Sequence, residues 1–442
     1  MSNPRNYHVA IIGGGYAGMA AAVTLAAADI PVTVFETAKQ LGGRARGVLH
    51  NDVQLDNGQH ILLGCYHHTL QLIEQVGGNI ERDFLRLPLQ LILHNHFELK
   101  APRLPAPLHL LAGLLNAKGL SFDERLRTAR FMLALNRINF TLPHDTDVLK
   151  LLRLHNQSDN AIRLLWEPLC IAALNTPVHI ASAQVLLHVL RDSLNGLRSD
   201  SDMLLPRIDF TALFPARAAE YIKQRGGTVL TACGVEAIIP HDDAIELPTH
   251  PTSTSTAHSQ RFSHVICATP PTSAIRLFRT VPQLTLLAEQ IAAIPHQPIY
   301  TIYLQYPQEV HLPHPMLGLD GCFAQWLFDK GQITGQHGLI AVVISAQGKH
   351  QDLPHELLAQ KVAQELHEHL GIMKTPVWYK VIAEKRATFS CETNLPRPSQ
   401  TTQLANLLLA GDYTAGDYPA TLEGAVISGT QCAKTIIATI NK

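Results

Sequence analysis

The chain has 442 residues, with 35 Lys and Arg against 36 Asp and Glu, for a formal net charge of −1. Hydrophobic residues make up 46% and charged residues 16%, which argues against intrinsic disorder, and the absence of a basic excess argues against a nucleic-acid binder. The low charged fraction and a mean hydropathy of +0.06 imply extra apolar surface, in an internal cavity or a membrane-facing patch.

The first predicted elements are a strand over 7–12, a tight turn over 13–18, a helix of small residues over 19–28 and a second strand over 32–35 ending at Glu36. No charged residue lies between Arg5 and Asp29, a pattern that a membrane span or signal peptide would share. Gly13, Gly14, Gly15 and Gly18 suit a strand–turn–helix better than a helix in lipid. In Gly13-x-Gly15-x-x-Gly18 the first glycine permits the turn and the second admits a pyrophosphate. The third lets helix and strand pack closely, and the helix N-terminus attracts phosphate charge. Glu36 can accept hydrogen bonds from a ribose diol. Leu41-Gly42-Gly43-Arg44-Ala45 follows, a second close approach with an arginine for a phosphate or a polar edge. A nicotinamide enzyme does not need that element, so FAD is favoured over NAD.

From about 101 to 195 the pattern is helical. Leu104–Leu115 is proline-bounded and almost uncharged. Ser121 and Glu124 form a predicted capping box for a helix running toward Asn139, and further helices are expected at 147–155, 159–166 and 182–194. After about 226 the period changes to two. Strands are expected at 228–231, 235–239 and 264–268, with a Ser/Thr-rich linker at 249–259. An antiparallel sheet is expected from 299–306, 323–328, 339–345 and 377–383, with a helix at 354–370. A strand at 404–410 and a helix at 422–440 close the chain. The apolar strand ends in Gly411-Asp412, whose carboxylate can bond a ribityl hydroxyl or a phosphate-bound water. Downstream, Thr421-Leu422-Glu423-Gly424-Ala425 opens a helix whose N–H groups can face a flavin pyrimidine edge.

The seven cysteines are scattered and form no CxxC, which reads as reduced thiols in a cytosolic protein. No HExxH occurs among the 24 histidines, and no metal site is predicted.

Gly13–Gly18, Glu36, Leu41–Ala45 and Gly411–Ala425 together resemble the flavoprotein superfamily of amine oxidases, protoporphyrinogen oxidase and phytoene-type desaturases. The resemblance implies an α/β fold: an interleaved Rossmann-type FAD-binding domain plus a substrate domain of antiparallel sheet and helices. The expected boundaries are 1–65, 205–275 and 400–442 for the first, and 66–204 and 276–399 for the second. Val235 would be the strand valine whose backbone meets adenine, and Gly58 and Gln59 would lie in a turn near the flavin. An aromatic cage residue of amine oxidases is replaced by Thr421, and no cysteine lies near Gly411 in the sequence to tether a flavin. Non-covalent FAD is therefore expected, and an amine substrate is disfavoured.

Asp56-Asn57-Gly58-Gln59-His60, Trp166-Glu167-Pro168-Leu169-Cys170, Val189-Leu190-Arg191-Asp192-Ser193 and Leu204-Leu205-Pro206-Arg207 resemble one branch in particular, the squalene-associated FAD enzymes of bacterial hopanoid synthesis, the hydroxysqualene dehydroxylase family. That resemblance implies reduction of an allylic C30 isoprenoid alcohol to squalene, downstream of two prenyl-transferase-type enzymes. The electron donor is not legible. His60 and Asp192 are the candidate acids for the departing hydroxyl. A cytoplasmic protein is expected, peripheral at the inner face of a bacterial membrane, with Leu104–Leu115 as the contact. A carotenoid-type desaturase, a soluble amine oxidase and a flavin or lipid carrier without turnover stay open as alternatives.

Overall fold

The structure is a computed structural model that describes residues 7–194, 196–251 and 258–441. Its first layer is a parallel sheet whose strands run, in spatial order, Thr228–Leu230, Val32–Phe35, Val9–Ile12, His264–Cys267 and Leu407–Leu409. The three central strands are buried along nearly their whole length. A parallel sheet covered on both faces requires such runs, which is why Val-Ala-Ile-Ile and Val-Thr-Val-Phe read as continuous apolar segments. The strands come from three separated stretches of chain.

The helix after the glycine turn spans Tyr16–Ala27, three residues earlier than the sequence suggests. Gly18 therefore belongs to the helix and not to the turn. The closing helix, Leu422–Ile440, lies against it. A Cβ on Gly429 would overlap the Ala17 carbonyl, so the two helices approach at backbone distance.

A second sheet has seven strands in the order Trp378–Phe389, His296–Gln305, Leu339–Ser345, Trp326–Asp329, Met316–Gly318, Gln90–Leu93 and Phe97–Lys100. It is antiparallel except where Met316–Gly318 meets Gln90–Leu93. The four strands expected from the sequence are there. The three short strands at the far edge are not legible from alternation, because each has only three or four residues. His355–Leu370 is the helix expected beside this sheet.

The helical region contains Leu108–Leu115, Phe122–Arg137, Val148–Leu154 and Ala183–Leu194. The capping box forms: Glu124 N–H donates to Ser121 Oγ at 3.3 Å and Ser121 N–H to Glu124 Oε2 at 2.7 Å. The helix expected at 159–166 instead widens into a π-helical turn at Ile162–Trp166 and continues as Glu167–Leu174. The expected strand 235–239 is two pieces, Cys233–Val235 and Ile239–Pro240, each pairing with Ile245–Pro251. That strand and His258–Phe262 make a hairpin around the Ser/Thr-rich linker, of which 252–257 fall outside the described residues.

A small sheet joins Leu62–Leu63, Met203–Pro206 and Phe84–Leu87. The boundaries expected at 65/66 and 204/205 pass through it. Among the described residues, no helix is long and apolar enough to cross a membrane.

Candidate active site

Gly13 has φ of +110°, and a Cβ there would lie 2.6 Å from the Ala268 carbonyl oxygen. Only glycine turns the chain at this point. Gly15 is the N-cap of the Tyr16–Ala27 helix, with no side chain capping it, so the first-turn amides and the positive helix end face outward. Gly15 pairs with Gly42 in a bridge, and Gly42 N–H donates to the Gly14 carbonyl at 2.9 Å. A Cβ on Gly15 would meet nothing nearer than Gly43 Cα at 3.9 Å. Two bare backbone segments thus flank an open helix N-terminus, a cradle suited to a pyrophosphate.

Glu36 sits at the end of its strand. Its Oε2 accepts the Gly14 N–H at 2.7 Å and its Oε1 the Ala38 N–H at 2.8 Å. Each oxygen keeps a lone pair for a ribose hydroxyl. Cys233 N–H donates to the Glu36 carbonyl at 2.9 Å, which brings the Val235 strand to the same end of the track. The Val235 carbonyl accepts from the Arg276 guanidinium at 2.9 Å, a partner with no signal in the sequence.

At the other end Arg44 spans two parts of the chain. Its Nη2 donates to Asp412 Oδ1 at 2.5 Å and its Nη1 to the Ala387 carbonyl at 2.6 Å. Burial pulls the guanidinium pKa down, but the Asp412 carboxylate outweighs it, and the net shift is upward. Asp412 follows Gly411, whose φ is +150° and whose N–H donates to Ser428 Oγ on the closing helix. Thr421 caps that helix, its Oγ1 accepting the Gly424 N–H at 3.1 Å, with Leu422 as the first helical residue. Glu423 is buried. It accepts from the N–H and Nδ1 of His68, and from the N–H and hydroxyl of Thr69, at 2.6–3.0 Å.

The turn at Gly58-Gln59-His60 joins the track through Asn57, whose N–H donates to the Arg46 carbonyl at 2.8 Å. His60 Nδ1 lies 2.8 Å from the Gly58 carbonyl, and its ring centroid is 4.9 Å from that of Phe210. A carbonyl only accepts, so Nδ1 carries the proton and Nε2 is left as an acceptor. Burial, with Arg44 adding to it, lowers the His60 pKa to about 4, so the imidazole is uncharged at neutral pH. The folded pKa is then below the unfolded value of 6.5, and this group favours the folded state more as pH rises between the two. The stability gap between wild type and His60→Gln is expected to widen from about pH 4 to 6.5 by up to about 3 kcal/mol. Urea denaturation across that range reads it, and a gap independent of pH contradicts the burial argument.

Among the described residues, no hydrogen bond or ion pair joins Asp192 to His60. Its Oδ2 accepts from the Tyr418 hydroxyl at 2.8 Å and its Oδ1 from Arg191 Nε at 2.7 Å. Tyr418 in turn packs beside Gly424, so Asp192 reaches the track through the first turn of the closing helix. Burial and the Asp192 carboxylate raise the Tyr418 pKa.

Two buried ionisable side chains lie beside the Gly58 turn. Lys330 is 4% exposed, and its Nζ donates to Gln59 Oε1 at 3.3 Å. Burial lowers its pKa, with Asp56 opposing. Asp56 accepts the Phe210 N–H at 2.9 Å; burial pushes its carboxyl up to about 7, with Lys330 opposing. Asp56 stands two residues before Gly58 in the sequence. Lys330 has no sequence signal at all. Among the described residues, no group of three or more His, Cys, Asp or Glu is placed to hold a metal.

The Rossmann-type sheet, the paired glycine segments and the two chain ends meeting at Arg44 and Asp412 define an FAD-dependent oxidoreductase. The model of the flavin containing amine oxidoreductase family matches residues 16–437, and the chain belongs to that family. It is 27% identical to a hydroxysqualene dehydroxylase of Sinorhizobium fredii, over 99% of this chain and 100% of the relative. A chloroplastic/chromoplastic zeta-carotene desaturase of Arabidopsis thaliana is 23% identical, over 97% of this chain and 85% of the relative. The crystal structure of a putative protoporphyrinogen oxidase from Exiguobacterium sp. 255-15 superposes with a TM-score of 0.71 at 15% identity, covering 98% of this chain and 99% of that one. That likeness fixes the fold.

Proposed function

We propose that this chain reduces hydroxysqualene to squalene. The allylic C–O bond breaks, the hydroxyl leaves as water with one added proton, and a C–H bond forms in its place. Held by the Gly13–Gly18 turn, Glu36, Gly42–Arg44 and Asp412, reduced FAD would supply the two electrons and the hydrogen. The observation that carries this reading is the end-to-end match at 27% identity with the Sinorhizobium fredii hydroxysqualene dehydroxylase, against 23% with the Arabidopsis thaliana zeta-carotene desaturase.

The chain's own residues supply the rest of the proposal. His60 acts uncharged: its Nε2 accepts a hydrogen bond from the substrate hydroxyl and aims the C–O bond. Asp192 delivers the proton to the departing hydroxyl, and the Tyr418 hydroxyl, which donates to Asp192 Oδ2, holds that carboxyl in position. An allylic cation needs a dry pocket to escape recapture by water, and the apolar helical region is assigned to wall it. The lipid-resident substrate enters from a membrane beside Leu104–Leu115, and upstream prenyl-transfer chemistry supplies it.

The test is anaerobic single turnover. Reduced enzyme mixed with hydroxysqualene should yield squalene as the flavin reoxidises. His60→Ala and Asp192→Asn should each slow that reoxidation by about a hundredfold or more. Bleaching of the oxidised enzyme by phytoene or squalene, without turnover of the alcohol, would instead assign a desaturase. Unchanged rates in both variants would remove their roles.

A further inference from the structure

The outward face of two helices is apolar where a soluble surface is normally charged. Leu108, Leu111 and Leu115 lie at i, i+3 and i+7 on one helix and are 54%, 45% and 39% exposed. The opposite face of the same helix buries His109, Gly113 and Leu114. This eight-residue helix is therefore apolar on both faces and carries no Asp, Glu, Lys or Arg, the pattern of an element covered on two sides. Leu104, just before it, is 41% exposed.

The next helix continues the surface. Phe122, Leu126, Arg130, Leu133 and Arg137 follow one another at spacings of three and four, so they share a face. Phe122 is 68% and Leu133 59% exposed, while Thr128, Ala129, Phe131 and Leu135 face the core. Arg125 donates to the Leu115 carbonyl, which ties the C-terminus of the first helix to the second and places a cation at the apolar tip. Among the described residues, no carboxylate lies within 4.0 Å of Arg103, Arg130 or Arg137. Over 101–140 the sequence has six basic residues against Asp123 and Glu124, in a chain whose overall net charge is −1.

We propose that Leu108–Leu115 and Phe122–Arg137 dock this chain on an anionic lipid surface. Leu104, Leu108, Leu111 and Phe122 enter the acyl boundary, and Arg103, Arg130 and Arg137 meet headgroup phosphates. The inference deepens the proposed function and rests on it only for the reason a lipid surface is useful: it delivers an oily alcohol without a passage through water. The charge pattern selects lipid over a second copy of the chain, because a two-fold interface on this face would bring its arginines toward each other. Leucines mixed with basic residues on one helix face are what an in-plane interfacial helix presents.

Flotation of the full-length, FAD-loaded protein tests the proposal, with vesicles of phosphatidylcholine alone or mixed with phosphatidylglycerol. The protein should float with the anionic vesicles, and high salt should weaken binding. Leu111→Ser with Phe122→Ser should reduce binding by about tenfold or more. Arg130→Gln and Arg137→Gln should each reduce binding to anionic vesicles by roughly fivefold, with little effect on neutral ones. All four substitutions are at exposed positions and should leave flavin content and turnover of detergent-dispersed hydroxysqualene unchanged. Turnover of vesicle-borne substrate should fall with binding. Absence of flotation with either vesicle overturns the docking surface, whatever the activity. A concentration-dependent dimer that Leu111→Ser dissolves also overturns it and assigns the face to self-association. Flotation without squalene formation keeps the surface and defeats the proposed reaction.

Discussion

Glu423→Ala is expected to destabilise the protein by about 4 kcal/mol, because a buried carboxylate that satisfies four donors cannot be removed without orphaning them. Two of those donors are the amides of His68 and Thr69, in the first turn of the His67–Gln75 helix, where no intrahelical acceptor exists. The third is the Thr69 hydroxyl, itself buried. Glu423 thus serves as a helix cap contributed from the far end of the chain. Glu423→Gln offers one oxygen and one NH2 to two sets of donors, so it should recover about half of the loss. Urea denaturation of the FAD-loaded variants measures both. Alanine and glutamine variants as stable as wild type would show that water reaches the amides, and the capping role would fall. The same substitution loosens the start of the closing helix, because Glu423 lies between Thr421 and Gly424. Flavin release should therefore precede global unfolding in the alanine variant.

Gly18→Ala should abolish retention of FAD through purification, with affinity reduced on the order of a hundredfold or more. A Cβ on Gly18 would overlap the Gly13 carbonyl oxygen and press on Ile11 Cγ2. The helix and the turn would have to separate. The turn cannot move independently, since Gly13 N–H is held by the Phe35 carbonyl and Gly14 N–H by Glu36. One methyl group therefore displaces the pyrophosphate cradle and the ribose acceptor together. Gly416→Ala is the control: nothing lies within 4 Å of the Cβ it would add. Equilibrium titration of the apoprotein with FAD, followed by flavin fluorescence, compares the three proteins. Equal affinities for Gly18→Ala and wild type would contradict the close packing of helix on strand.

The glycine turns and the strand-end carboxylates are legible in the sequence because their signals are local. Gly13, Gly15 and Gly18 announce a turn by their spacing, Glu36 by its place at a strand end, and Asp412 by the apolar run before it. The sequence reading missed the start of the helix at Tyr16, since the glycine that ends the motif was counted with the turn. Lys330 and Asp56 stayed hidden for a different reason. Their burial depends on how the seven-stranded sheet closes over the Gly58 turn, and no residue spacing records that. The Asp192–Tyr418 contact spans 226 positions, and Glu423–Thr69 spans 354, so neither has a period to detect. His60 is legible only as the histidine that closes the Gly58 turn. Its charge state is not, because the desolvation comes from Phe210 and the surrounding core. The apolar stretch at Leu104–Leu115 was visible as composition, but only the folded chain distinguishes leucines that face outward from those that fill the core.

The Arg44–Asp412 clasp has a consequence for biosynthesis. Arg44 emerges from the ribosome more than three hundred residues before Asp412, the edge strand Leu407–Leu409 and the helix Leu422–Ile440. A nascent chain can shape its glycine turn early, yet the fifth strand of the parallel sheet and the helix packed on Tyr16–Ala27 are added only later. A chain truncated before residue 407 should therefore be made as colourless protein.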